Sequence, residues 1–125
     1  CAPGGAVATG AGNLKARYVF HAVGPVWKGG TAGEREVLRG AYQACLDLCD
    51  LNRCRSLALP AISTGIYGYP MEEAAEVALS AVAAHLAGRS QLDRVTFVLF
   101  DKAAFDVFAS TLTRLAERKK LPPPA

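Results

Sequence analysis

Residues 57–70 read LALPAISTGIYGYP, and the reading of this stretch decides the fold. It opens inside an apolar run, Ser56 to Ile62, with no clean alternation. Such a run suits a strand buried on both faces, as in a parallel sheet flanked by helices. Pro60 cannot donate to a sheet ladder, so the strand ends or bends there. Met71 to Ala87 is Ala-rich and favours a helix. Pro70 suits its first position, Glu72 and Glu73 complement the positive end of its dipole, and Gly88 stops it. The loop between strand and helix, Ser63 to Pro70, therefore lies where α/β proteins gather ligands, outside the carboxyl end of a strand.

The composition of that loop suits a phosphate or diphosphate carried on a nucleotide. A helix start offers unpaired N–H groups and a positive dipole end. Gly65 and Gly68 allow positive φ and close approach of the backbone. Ser63 and Thr64 add hydroxyls, and Tyr67 and Tyr69 could wall off a sugar or a base. Against this, Glu72, Glu73 and Glu76 follow closely and must face away from any phosphate. An ordinary Gly-rich turn before a helix is the competing reading, because a lone Gly-rich loop is a weak signal.

Outward from the loop, strands and helices continue to alternate. Short apolar runs at Gly5–Thr9 and Tyr18–Val23, joined by a Gly/Asn-containing stretch, read as a hairpin or neighbouring strands. Trp27–Gly33 reads as an exposed loop. Val37, Ala41, Cys45 and Cys49 recur every four residues within a helix over about 34–51, with Glu34 and Glu36 in its first turn. Arg94–Phe100 reads as another buried strand, Asp101 as the cap of a last helix from about Ala103 to Lys119, and residues 120–125 as a Pro-rich tail. The order β, β, α, β, α, β, α argues for a layered α/β domain over residues 1–119 with helices on both faces of the sheet.

Several function classes are excluded. The 125 residues make one domain, and 51% apolar against 20% charged residues excludes a mainly disordered chain. No uninterrupted apolar run approaches the roughly 18 residues of a membrane span, and no secretory leader is visible, so a cytoplasmic setting is expected. A net charge of +3 is too mild for a nucleic-acid footprint, and the basic run of Arg114, Arg118, Lys119 and Lys120 reads as a solvated helix end. Cys1, Cys45, Cys49 and Cys54 contain no CxxC pair and read as reduced thiols rather than metal ligands; no metal and no cofactor is expected. No P-loop or GxGxxG is present. Ala61 stands where a nucleophile elbow needs Gly, and nothing in the sequence joins Ser63, His21 and Asp101 into a triad. His21, inside an apolar strand, reads as an interior histidine. Asp101 and Asp106 read as a cap and a solvated face, and Phe100 as either core or a base-stacking ring.

AVATGAGNLKARYVFHAVGPVW, from Ala6 to Trp27, together with LALPAISTGIYGYP, resembles a macrodomain, most closely the branch that includes the bacterial O-acetyl-ADP-ribose deacetylases. MEEAAEVAL and RVTFVLFD are similar to that family's closing βαβ pattern. The resemblance implies a three-layer α/β/α sandwich with a mixed sheet that binds ADP-ribose. It implies that Ser63, Thr64, Gly65, Ile66, Tyr67 and Gly68 hold the diphosphate and distal ribose, largely through backbone amides, with Tyr67 beside that ribose and Phe100 near the adenine. The parent activity it implies is hydrolysis of ADP-ribose derivatives, either deacetylation of O-acetyl-ADP-ribose or removal of ADP-ribose from proteins. A non-catalytic ADP-ribose-binding module and an inactive remnant are the alternatives.

Members of the family carry an N-terminal third, with its first strands, helix and catalytic Asn and Asp, ahead of the segments matched here. No residue of this chain inherits those roles, so no catalytic residue is assigned, and the chain, opening on Cys1, is expected to be a fragment. Without those strands a sheet edge should lie uncovered and offer a route to self-association.

Overall fold

A computed structural model describes residues 1–88 and 90–118. The elements follow in the order β1 (Ala6–Gly10), β2 (Tyr18–Ala22), α1 (Glu34–Leu51), β3 (Ser56–Leu59), α2 (Met71–Ala87), β4 (Arg94–Phe97) and α3 (Lys102–Glu117). The expected tail lies outside the described residues, as does Lys119.

β1 and β2 form an antiparallel pair, with Ala6 opposite Ala22 and Gly10 opposite Tyr18. β3 and β4 form a parallel pair, with Ser56 beside Arg94 and Leu59 beside Phe97. Both strand directions are thus present, but in two two-stranded sheets rather than one. β2 and β3 line a common cleft of about 710 Å³, with Cys45 and Cys49 of α1 also in its wall. Neither strand has a partner on that side among the described residues.

The core lies among the helices and one face of the sheets. Leu38, Tyr42 and Leu46 of α1, Val77 and Ala78 of α2, and Phe108 and Leu115 of α3 are buried there. Aromatic contacts carry the core across the β3–β4 sheet. The Phe97 ring lies 6.2 Å from Tyr42 and 5.2 Å from Phe108, both within the favourable range for tilted pairs. α1 is amphipathic over its whole length, whereas α2 owes its burial to small alanines that admit both neighbouring helices.

Burial corrects one expectation. β3 and β4 are buried on one face only: Leu57, Leu59, Val95 and Phe97 point to the core, and Ser56, Ala58, Arg94 and Thr96 are exposed. The opposite face carries no covering element among the described residues. β4 also stops at Phe97, three residues short of the expected end. One further bond, from the Val98 N–H to the Leu59 carbonyl at 2.8 Å, closes the ladder. His21 is exposed rather than interior. Its Nε2 lies 2.9 Å from Thr9 Oγ1 on β1. Asp101 does cap α3, its Oδ1 accepting from the Ala104 N–H at 2.9 Å.

Candidate functional site

The parallel pairing puts the ends of β3 and β4 side by side, so the loop after Leu59 and the turn through Phe100 leave the same edge of the sheet. The loop is fixed at its base by Tyr42. Its buried hydroxyl donates to the Pro60 carbonyl and accepts from the Ile62 N–H, each at 2.9 Å. Burial pushes the phenol of Tyr42 well above its ordinary range, so it remains a donor at any physiological pH.

Within the loop, Thr64 Oγ1 donates to the Ala61 carbonyl at 2.8 Å, and the Gly68 N–H to the Gly65 carbonyl at 2.9 Å. The Tyr69 N–H returns to the Ser63 carbonyl at 2.9 Å and closes a compact turn. Ser63 holds φ at 67°, a left-handed conformation uncommon for a residue with a side chain. Of the two glycines expected to allow positive φ, Gly68 adopts it, at 73°, and Gly65 does not. A Cβ at Gly65 would meet nothing within 4 Å, so the space above it is open.

These bonds leave a defined set of donors. Among the described residues, the N–H groups of Ser63, Gly65, Ile66 and Tyr67 have no acceptor within the chain. Gly65, Ile66, Tyr67 and Gly68 are exposed, and Thr64 is half-buried. Ser63 Oγ is buried without a partner. α2 begins immediately beyond, so its positive dipole end backs the loop. Glu72 and Glu73 are solvent-exposed, and Glu76 reaches toward Arg114 of α3 at 3.7 Å.

The expected aromatic residues separate. Tyr67 is 41% exposed on the loop. Tyr69 is buried instead, 4.8 Å from the Trp27 ring, and cannot wall a ligand. Phe100 is fully exposed and belongs to no core. Two cavities, in the β2–β3 cleft and beside β4 between α2 and α3, do not include Ser63–Gly68, and Gly65 to Gly68 lie exposed. Among the described residues no cluster of three metal-capable side chains exists, and no helix is long and apolar enough to cross a membrane.

A second loop, which reads from sequence as merely exposed, supports the first. The Trp27 N–H donates to the Tyr67 carbonyl at 2.8 Å. Gly24 is buried where a Cβ would fall on Ser63 Oγ and Ile62 Cγ2, so only glycine permits this approach. Nothing local in the sequence announces that Gly24 meets Ser63, far along the chain.

This arrangement of a Gly-rich loop at parallel strand ends has close counterparts. The family model "Macro domain" matches residues 1–78. The chain belongs to the macro domain family. It is 50% identical over 112 residues to an O-acetyl-ADP-ribose deacetylase of Klebsiella pneumoniae, covering 90% of this chain and 64% of that protein. It is 48% identical over 115 residues to a macro domain-containing protein of Caldanaerobacter subterraneus, covering 92% and 65%. Among solved structures, the Oceanobacillus iheyensis macrodomain with ADP superposes with a TM-score of 0.89 at 32% identity, over 94% of this chain and 61% of that one. The Trypanosoma brucei macrodomain in complex with ADP-ribose gives 0.83 at 32% identity, over 90% and 47%. The chain therefore spans a little under two thirds of the length of the curated macro domain relatives it matches.

Proposed function

We propose that this macro domain binds ADP-ribose through the loop from Ser63 to Gly68, and that the whole protein hydrolyses ADP-ribose derivatives. The observation that carries the reading is the set of free N–H groups at Ser63, Gly65, Ile66 and Tyr67, gathered before a helix start. Such groups bind anions, because oriented amides and the helix dipole together favour negative charge. Tyr67 is exposed enough to flank the distal ribose, and Phe100 can stack on the adenine. The names of the relatives support the same ligand. One is an O-acetyl-ADP-ribose deacetylase and another was solved with ADP-ribose. The hydrolytic step, on O-acetyl-ADP-ribose or on ADP-ribosylated protein, belongs to this reading of the whole protein, and no residue of this chain is assigned a catalytic role.

The experiment is a calorimetric titration of ADP-ribose into the chain, with AMP as control. Saturable heat selective for ADP-ribose is expected. Gly65→Val should abolish it with no loss of fold, since a Cβ at Gly65 meets no atom of the protein and obstructs only the ligand's approach. Wild-type affinity in Gly65→Val would remove the loop from the site.

A further inference from the structure

Glu34 is a carboxylate in an unusual place. It opens α1 yet is 3% exposed. Gly33, the N-cap of that helix, supplies no side-chain cap bond. Oε2 of Glu34 accepts from the N–H groups of Lys28 and Gly30, each at 2.8 Å, and Oε1 accepts from the Ala32 N–H at 2.6 Å. Residues 28–32 thus curl around the carboxylate as a loop curls around a bound anion, with alternate amides pointing inward. Those amides hold the Glu34 carboxyl well below the usual range, at about 2, the bond from Lys28 contributing most.

The curled loop presses on the candidate site. Gly30 sits at φ 89° directly under the Trp27 ring, where a Cβ would lie 2.8 Å from it. The Trp27 ring also meets Tyr69, and its backbone N–H binds the Tyr67 carbonyl. Tyr69 in turn donates to Ser63. An unbroken series of contacts therefore runs from the Glu34 carboxylate through residues 28–32 and Trp27 to both ends of the Ser63–Tyr69 turn.

We infer that Glu34 is a positioning residue for the ligand loop: by occupying the 28–32 amides it fixes Trp27, and Trp27 fixes Tyr67 and Tyr69. Its relevance to ADP-ribose rests on the function proposed above, but the mechanical link does not. A residue that only capped α1 would order its own first turn and leave the Ser63–Tyr69 turn to itself.

Native-state hydrogen exchange of the wild-type chain, in graded low denaturant, tests the link without ligand. The amides of Lys28, Gly30 and Ala32 should share one opening with those of Gly68 and Tyr69, as members of a single cooperative unit do. Distinct openings for the two groups would overturn the inference. Glu34→Gln, which keeps the shape and removes the charge, should speed exchange in both groups. It should also shift the emission of Trp27, the sole tryptophan. It should weaken ADP-ribose binding by roughly tenfold, the scale of one lost net hydrogen bond. Faster exchange confined to residues 28–32, with unchanged emission and affinity, would limit Glu34 to ordering its own loop and overturn the inference. Absence of ADP-ribose heat from the wild type overturns the proposed ligand alone, and the exchange result still decides the role of Glu34.

Discussion

Beyond the ends of β2 and β3 the chain ties itself together; along their facing edges, among the described residues, it does not. At the loop end, Tyr42 bridges Pro60 and Ile62, Gly24 packs under Ser63, and Trp27 binds Tyr67. A short distance along the strands, β2 and β3 face one another across a cleft, and neither has a ladder partner on that side among the described residues. The difference teaches that order in the Ser63–Tyr69 loop does not derive from continuity of the sheet. It comes from side chains and amides of α1 and the preceding loop, all within this chain.

The strongest way to break the tied region is Gly24→Val. The new side chain would strike Ser63 and Ile62, and overpacking of this kind costs about 3 kcal/mol. Thermal unfolding should show a fall in Tm of many degrees, and ADP-ribose binding should vanish with it. A variant as stable as wild type would mean that the two loops separate freely. Acid provides a graded test of intermediate size. The folded-state pKa of Glu34 is depressed, so its contribution to stability is complete above its ordinary value near 4.5 and is lost as pH falls toward about 2. As pH reaches about 2, where the folded-state carboxyl takes up its proton, Trp27 emission should change in wild type and stay flat in Glu34→Gln, and identical acid profiles would sever Glu34 from Trp27. The open region answers to the smallest change. Ala58→Lys places a charge on an exposed position of β3 that lines the cleft. Stability should move by less than about 0.5 kcal/mol. Any concentration-dependent association seen by size exclusion in wild type should diminish, because charged residues protect free strand edges. Unchanged association would place self-contact on another face.

α1 and α2 were legible almost to the residue. The four-residue recurrence from Val37 to Cys49 and the Pro70-to-Gly88 punctuation are local signals, and α1 and α2 run where these signals put them. Strand positions were legible, but their environment was not. An apolar run such as SLAL is compatible with one buried face or two, and only tertiary packing shows that Ala58 faces solvent. His21 was misplaced for the same reason, since its side of β2 is the open one. In the site, the loop could be read from glycines and hydroxyls at a strand-to-helix junction. Its supports could not. Gly24 beneath Ser63, Tyr69 turned inward against Trp27, and Glu34 inside its ring of amides are contacts between segments distant in the chain, and no local spacing announces them.

The cleft has one chemical consequence. Its wall includes the sulfur-bearing residues Cys45, Cys49 and Cys54, so an open sheet would seem to invite oxidation. Desolvation argues otherwise. Burial pushes the Cys45 thiol up to about 11 and, reinforced by Cys54, the Cys49 thiol up to about 12. At neutral pH only about one Cys45 side chain in ten thousand is then a thiolate, the form that attacks peroxides and disulfides. At Cys45 and Cys49 the gap between the two sheets is open in shape, yet both sulfurs are buried and held as thiols, which disfavours the part of a redox sensor.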